Sequence, residues 1–316
     1  MSRLSASEVF GLSPLRTRAR EALLTFRGDA LTPKSRFDHT SLKVLRPRLS
    51  IALWLGRNPT GRRVAISNFF SHVQPPPELG WSVRVTTARD FRGKQGTYDS
   101  HNGTDFAVSP GTTIVAAAPG KVLRIASEFN RGGLKIFIDH GHGVVTTSNH
   151  LGRSLVTVGQ VVERSEPIAL SGVSGIDGFL LFPFSAPHTH FNVWLNGTPV
   201  DPFSIGDELS LWRGGNNPCP WQGEAIDETF KPTDWSEARV ESAIKSCLHA
   251  AARHEMHSYK DLGERAMAVL FHANYYPTRF GGAPRLYNAS YERAPLLTLP
   301  LSSRDFDGIA WEGSSQ

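Results

Sequence analysis

Between Trp81 and Ile205 the chain is a succession of short apolar runs cut by glycine turns: "TIVAAAPGKVLRIAS", "LKIFIDHGHGVVTTSNHL", "TVGQVVE", "PIALSGVSG" and "HFNVWLNGTPV". Val, Ile, Thr and Phe alternating with polar residues, bounded by Gly, Asn, Asp and Pro, predict antiparallel β-sheet, because branched and aromatic side chains suit a pleated, half-buried surface. The flanks differ. Residues 1–80 mix short apolar runs with arginines and close on "QPPPELG", a Pro/Gly break that marks a boundary. After "VDPFSIGDEL" the chain passes through the turn-rich "WRGGNNPCPWQGEA" into "TDWSEARVESAIKSCLHAAARHEMHS". There Val240, Ala243, Ile244, Cys247, Leu248 and Ala251 recur at helical spacing behind Thr233 or Asp234 as N-cap, and a second helix is expected over about Lys260 to His272. The expected fold class is α+β: a basic N-terminal region (1–80), an antiparallel sheet domain (81–206) and a C-terminal helical or mixed region (207–316).

A hydrophobic fraction of 40% in 316 residues suffices for a real core. The net charge of +5 is uneven: residues 1–80 hold 13 Lys/Arg against 5 Asp/Glu, a balance of +8, and the remainder 21 against 24, a balance of −3. Segments such as "LRTRAR" and "VLRPRL" can touch an anionic surface, but a solvated face is the simpler reading, and no nucleic-acid partner is expected. Cys219, in a loop, and Cys247, on the apolar helix stripe, form no disulfide framework or metal knuckle; a bond between the two stays open. No window reaches the apolar length of a membrane span, and "MSRLSASEVFGLSPLRTRAR" lacks the apolar core of a secretory signal, which taken literally implies a soluble chain outside the general export route. "NAS" near the C-terminus matches a glycosylation acceptor, without meaning unless the chain is exported through a eukaryotic route.

The chemistry lies in the histidines. In "SAPHTHFNVW" His188 and His190 stand at i and i+2 of a strand-like run, so both imidazoles project from one face. Upstream, His101 and Asp105 in "SHNGTDFAV" bracket an Asn-Gly turn that feeds a strand, and His150 in "TTSNHL" lies between the two motifs. Imidazole and carboxylate suit a divalent ion such as Zn²⁺, and a catalytic zinc takes three protein ligands; His101, Asp105 and one histidine of the pair complete such a set. His140 and His142 share the i, i+2 spacing but fall among turn glycines. His249, His254, His257 and His272 are scattered on helical segments, and His39 and His72 read as surface residues.

The order "HNGTDFA", "GTTIVAAAPGKV", "IDHGHGVVTTSNHL", "VTVGQVVE", "PIALSGVSG", "PHTHFNVWLNGTPVDP" resembles the M23 family of zinc metallopeptidases, the lysostaphin-like or LytM-type peptidoglycan endopeptidases, over roughly Asp99 to Pro202. The resemblance implies a duplicated hybrid motif-like sheet core, Zn²⁺ held by His101, Asp105 and His190, and His150 and His188 as acid/base or oxyanion groups beside it. It also gives His140 a structural place. It implies hydrolysis of peptide bonds in peptidoglycan stems or cross-bridges by a metal-activated water, with the bond unspecified. Such a metal acidifies its water and polarises the scissile carbonyl, while adjacent imidazoles move the proton and hydrogen-bond the oxyanion.

Ser148 stands where many members have Tyr, and Asn192 where Glu commonly follows HxHF; neither change removes a ligand. The segment Ile176 to Pro187, "IDGFLLFPFSAP", is longer and more apolar than the usual connection, and either walls the substrate groove or packs under the C-terminal helices. The alternatives to a peptidase are an inactive wall-binding or regulatory member of the same fold and a biotinyl-type carrier module. The latter accounts for "AAAPGKVLRI" and "VGQVVE" but needs none of the five site residues. The basic N-terminal region, placed just before the first ligand, is a candidate inhibitory segment across the cleft. The implied substrate lies in the cell envelope, in conflict with the missing export signal.

Overall fold

The glycine-bounded runs join in a single sheet, described in a computed structural model over residues 3–223 and 229–311. Its strands are β1 (Arg63–Asn68), β2 (Thr104–Ala107), β3 (Thr113–Val115), β4 (Gly120–Glu128), β5 (Gly133–Asp139), β6 (Val144–Ser154), β7 (Val161–Val162), β8 (Pro167–Ser171), β9 (His188–Leu195), β10 (Thr198–Val200) and β11 (Gly308–Ala310). The main path runs β11-β1-β2-β9-β6-β5-β4-β7, with β10 on β9 and β8 bridging β6 to β3. The pairings are antiparallel except β1 with β11. The helices are α1 (Ala6–Phe10), α2 (Leu15–Arg27), α3 (Pro47–Trp54), α4 (Ile176–Leu180), α5 (Glu237–Ser246), α6 (Ala250–Ser258) and α7 (Leu262–Tyr275). None among the described residues is long and apolar enough to cross a membrane.

Strand alternation sorts the core into two layers. Phe191, Val193 and Leu195 of β9 face one way, into a cluster with Phe106, Val122, Ile136, Phe203 and Trp212. Trp194 faces the other way and joins Leu123, Phe137 and Val145 under α5, α6 and α7, whose Met267, Leu270 and Phe271 are fully buried. The C-terminal helices therefore brace one face of the sheet. Each large side chain buried in that layer stabilises the fold by roughly 1.5–3 kcal/mol.

The sheet passes both boundaries expected at residues 80 and 206: β1 comes from the N-terminal region, β11 from near the C-terminus, and each is hydrogen-bonded into the sheet. The long helix expected through Ala251 is two helices. α5 ends at Ser246, and Cys247 is extended rather than helical. His249 caps α6 by accepting from the Ala252 N–H, while the Leu248 N–H donates to the Arg279 carbonyl and Leu248 itself is exposed. With the backbone groups at the break partnered by a cap and a distant chain segment, the continuous helix loses its advantage. Neither expected N-cap begins α5: that position is Ser236, and Thr233 instead donates its hydroxyl to Asp139. The second helix runs Leu262–Tyr275, capped by Asp261. Cys219, exposed, and Cys247, buried, are both free.

The segment from Ile176 to Pro187 packs on the N-terminal helices, not the C-terminal ones. Phe179 and Phe182 meet Phe10 at 6.0 and 5.5 Å between ring centroids, and Phe182 meets Trp54 at 5.0 Å. The Ser50 hydroxyl contacts the carbonyl oxygens of Pro183 and Ser185, at 2.6 and 2.8 Å.

Candidate metal centre

Register places the polar residues of four strands in one row. Asn68 of β1 stands opposite Asp105 of β2, Asp105 opposite His190 of β9, and His190 opposite Asn149 of β6. Cross-strand partners share a face, so this row continues the Trp194 face beyond the end of the helical layer. Tyr275, in the last turn of α7, closes that layer: its hydroxyl lies 3.4 Å from Asn149 Oδ1 and 3.2 Å from Asn192 Oδ1. Asn192 is tied down by donating to the carbonyl and side-chain oxygens of Asn102.

His101, in the loop before β2, completes a triangle. His101 Nε2 lies 3.0 Å from Asp105 Oδ1 and 2.9 Å from His190 Nδ1, and the last two are 2.7 Å apart. All three side chains are buried. The turn between His101 and Asp105 needs Gly103, where a Cβ would sit 2.7 Å from the Phe191 carbonyl oxygen and 2.8 Å from His190 Nε2.

The protons decide what fits this triangle. His101 Nδ1 is 2.6 Å from the Phe69 carbonyl, which only accepts, so Nδ1 carries hydrogen. With that hydrogen on Nδ1, His101 Nε2 faces an Asp105 oxygen as an acceptor unless a proton or a cation lies between them. That acceptor–acceptor contact is favourable only with positive charge between the two atoms. Burial holds the His190 imidazole down at about 4, hence neutral near pH 7. Burial alone would raise the Asp105 carboxyl, but the surrounding histidines, His101 and His188 foremost, hold it well below the usual carboxylate range. Two imidazole nitrogens and a carboxylate oxygen gathered in this way fit a divalent cation, and the edges are somewhat shorter than the ~3.3 Å of an ideal tetrahedral zinc site. Asn68 Nδ2 donates to the other Asp105 oxygen at 2.8 Å, so both Asp105 and His101 are oriented by residues 68 and 69.

Two further histidines flank the triangle. Alternation along β6 would put His150 on the face opposite Asn149. An extra residue in β6 against β5, between the pairs Leu134–Leu151 and Ile136–Ser148, and a φ of +58° at His150 break that alternation. The bulge re-aims the ring to within 4.7 Å of His188 and 6.1 Å of His190. His150 Nδ1 donates to the Ser174 carbonyl and His188 Nδ1 to the Ala186 carbonyl, each at 2.8 Å, leaving each Nε2 as acceptor. His150 Nε2 lies 3.5 Å from Asp177 Oδ2, and His188 Nε2 3.7 Å from Asp105 Oδ2. Burial lowers His150 below the ordinary imidazole value, against the opposing pull of Asp177.

The group opens on a cavity of about 500 Å³. Its walls include Ile176, Leu180 and Leu181, Phe26 and Phe37 of the N-terminal region, and Trp81 and Val83 just after it. The Ile176–Pro187 segment thus walls the groove. Two phenols reach it, Tyr275 and Tyr98; burial and the charges of Asp105 and Asp177 push the Tyr98 hydroxyl well above its ordinary range, so it stays a donor.

All five residues named from sequence, His101, Asp105, His150, His188 and His190, converge here. The remaining histidines do not. His140 is buried, with Nδ1 donating to the Pro119 carbonyl and Nε2 accepting from Thr146, and burial lowers it to about 4. His72, expected as an ordinary surface residue, pairs with buried Asp201 at 2.8 Å. Sequence reasoning missed Asn68, Phe69, Tyr98, Asp177 and Tyr275, which lie outside both histidine motifs.

Residues 99–202 match the sequence profile of Peptidase family M23. An uncharacterized metalloprotease of Haemophilus influenzae is 37% identical over 110 residues, 35% of this chain and 22% of that protein. Peptidoglycan DD-endopeptidase ShyB of Vibrio cholerae is 36% identical over 101 residues, 32% of this chain and 22% of its own length. This chain thus spans about a fifth of those relatives. Among solved structures, a zinc-containing peptidase from Vibrio cholerae shares 27% identity over 46% of this chain and 40% of its own, with a TM-score of 0.34.

Proposed function

We propose that this chain, whose residues 99–202 belong to peptidase family M23, is a zinc-dependent endopeptidase acting on the peptides of peptidoglycan. The observation that carries this reading is the buried triangle of His101 Nε2, Asp105 Oδ1 and His190 Nδ1, its members 2.7–3.0 Å apart at the floor of an open cavity. Relatives described as peptidoglycan DD-endopeptidases supply the substrate class. His101, Asp105 and His190 would hold the ion. Bound there, zinc supplies Lewis acidity, polarising a carbonyl and bringing the pKa of water toward neutrality.

The chain's own groups handle the protons. His150 and His188 each have Nδ1–H fixed on a backbone carbonyl and so turn Nε2 to the cavity. That nitrogen takes the proton of the attacking water, and the resulting imidazolium returns it to the departing amine nitrogen. Asp177 stabilises the charged form of His150. The Tyr98 phenol, kept protonated, is a donor on the same wall. The presence of all five histidine and aspartate groups favours this reading over that of a fold that has lost its chemistry.

Digestion of purified sacculi tests the proposal. The wild-type chain loaded with zinc is expected to release soluble fragments with new amino termini. A folded His190→Ala variant is expected to release none, and equal release by both would contradict the reading.

A further inference from the structure

The cavity wall holds one cation that the chemistry above does not use. Arg131 lies in the turn between β4 and β5, beside Gly132, whose carbonyl accepts the His150 N–H at 2.9 Å. Its Nε donates to the Tyr275 carbonyl and its Nη1 to the Asn130 carbonyl, both at 3.0 Å. Its guanidinium lies 6.0 Å from the Trp81 ring centroid and 5.4 Å from that of Tyr276. Two backbone anchors and two aromatic faces therefore fix it. Among the described residues no carboxylate pairs with it and Nη2 has no hydrogen-bond partner, while the side chain lines both the site cavity and an adjoining cavity of about 480 Å³.

A half-buried guanidinium held in place at a cavity wall without a counter-ion favours an incoming anion, which replaces the water left on its free edge with a charge-assisted contact. The two carboxylates that line the site cavity are otherwise engaged, Asp105 in the triangle and Asp177 beside His150. Burial lowers the Arg131 pKa, with Tyr276 opposing and the neighbouring Arg279 adding to the shift. A carboxylate fits its planar fork, and the cavity is the route by which a peptide reaches the centre.

We propose that Arg131 is a specificity residue that binds a free carboxylate of the peptide substrate, so that the cleft selects peptides carrying such a group within a residue or two of the scissile bond. The inference rests on the peptidoglycan reading, whose peptides carry free carboxyl groups. Arg131 binds and positions; it has no part in moving protons.

The test uses the full chain and a cross-linked muropeptide dimer, with its free carboxylates intact or converted to carboxamides. Wild type is expected to prefer the acid over the amide about tenfold or more in kcat/KM, as for a charge-assisted bidentate contact. In Arg131→Gln that ratio should fall toward one, and Arg131→Lys should retain part of it. Binding of both dimers to His190→Ala, read by calorimetry without turnover, should show the same acid preference, lost in the double variant with Arg131→Gln. Thermal melting verifies that the variants fold. An acid-to-amide ratio in folded Arg131→Gln equal to that of wild type overturns the carboxylate role and leaves the peptidase reading standing. Failure of wild type to cleave or bind either dimer overturns both.

Discussion

His150 shows how much a single residue depends on its backbone. Its ring reaches the cleft because a bulge and a positive φ turn it there, and its basicity is set by burial against Asp177. If His150 is the proton acceptor proposed above it must be neutral, so activity is expected to fall as pH drops through its pKa, which lies below the ordinary 6.5. Asp177 raises that pKa, so Asp177→Asn lowers it further. The acid limb of kcat/KM is therefore expected to move to lower pH in Asp177→Asn, with a maximal rate about tenfold or more below wild type as the imidazolium loses its partner. A limb that stays put would remove Asp177 from the account. The convergence of His101, Asp105, His188 and His190 was legible in sequence because i, i+2 spacing on a strand and a short histidine–aspartate loop constrain where side chains point. The groups that orient them were not. The Phe69 carbonyl is backbone without a residue signature, and Asn68 meets Asp105 only through pairing across 37 residues of chain.

At the scale of elements, the site exists because β1, β2, β9 and β6 hold one register. A one-residue slip of β9 would turn His188 and His190 to the opposite face. The helical layer fixes the far half of the same face: Phe271 of α7 packs on Phe137 at 5.9 Å and on Tyr275 at 5.2 Å, and Tyr275 reaches Asn149. Phe271→Ala is expected to cost about 3–5 kcal/mol in denaturant unfolding. A loss under 1 kcal/mol would mean that α7 does not brace the sheet. Strand periodicity and glycine turns made the sheet readable. The break between α5 and α6 was not, because its backbone groups are satisfied by Arg279 and by a histidine cap, and an apolar stripe continues across it regardless.

At the scale of the molecule, the sheet and the candidate metal centre both draw on sequence outside residues 99–202. β1 covers the β2 edge and carries Asn68, Phe69 follows it, and Trp81, Phe26 and Phe37 wall the cavity. The N-terminal region is thus part of the site's support and of the cavity wall. A fragment of residues 81–206 is expected to melt less cooperatively than the full chain and to bind zinc weakly; a fragment with full zinc affinity would contradict that dependence. Composition marked the basic N-terminal region as separate because charge and Pro/Gly breaks report local exposure, not pairing with a strand that lies far along the chain. The central claim, that three side chains hold a catalytic metal, is tested most directly by elemental mass spectrometry of the purified full chain beside His190→Ala. About one zinc per chain, lost in the variant, is the result the three-ligand site predicts. No zinc in the wild-type chain after reconstitution, or an equal content in both proteins, would contradict it.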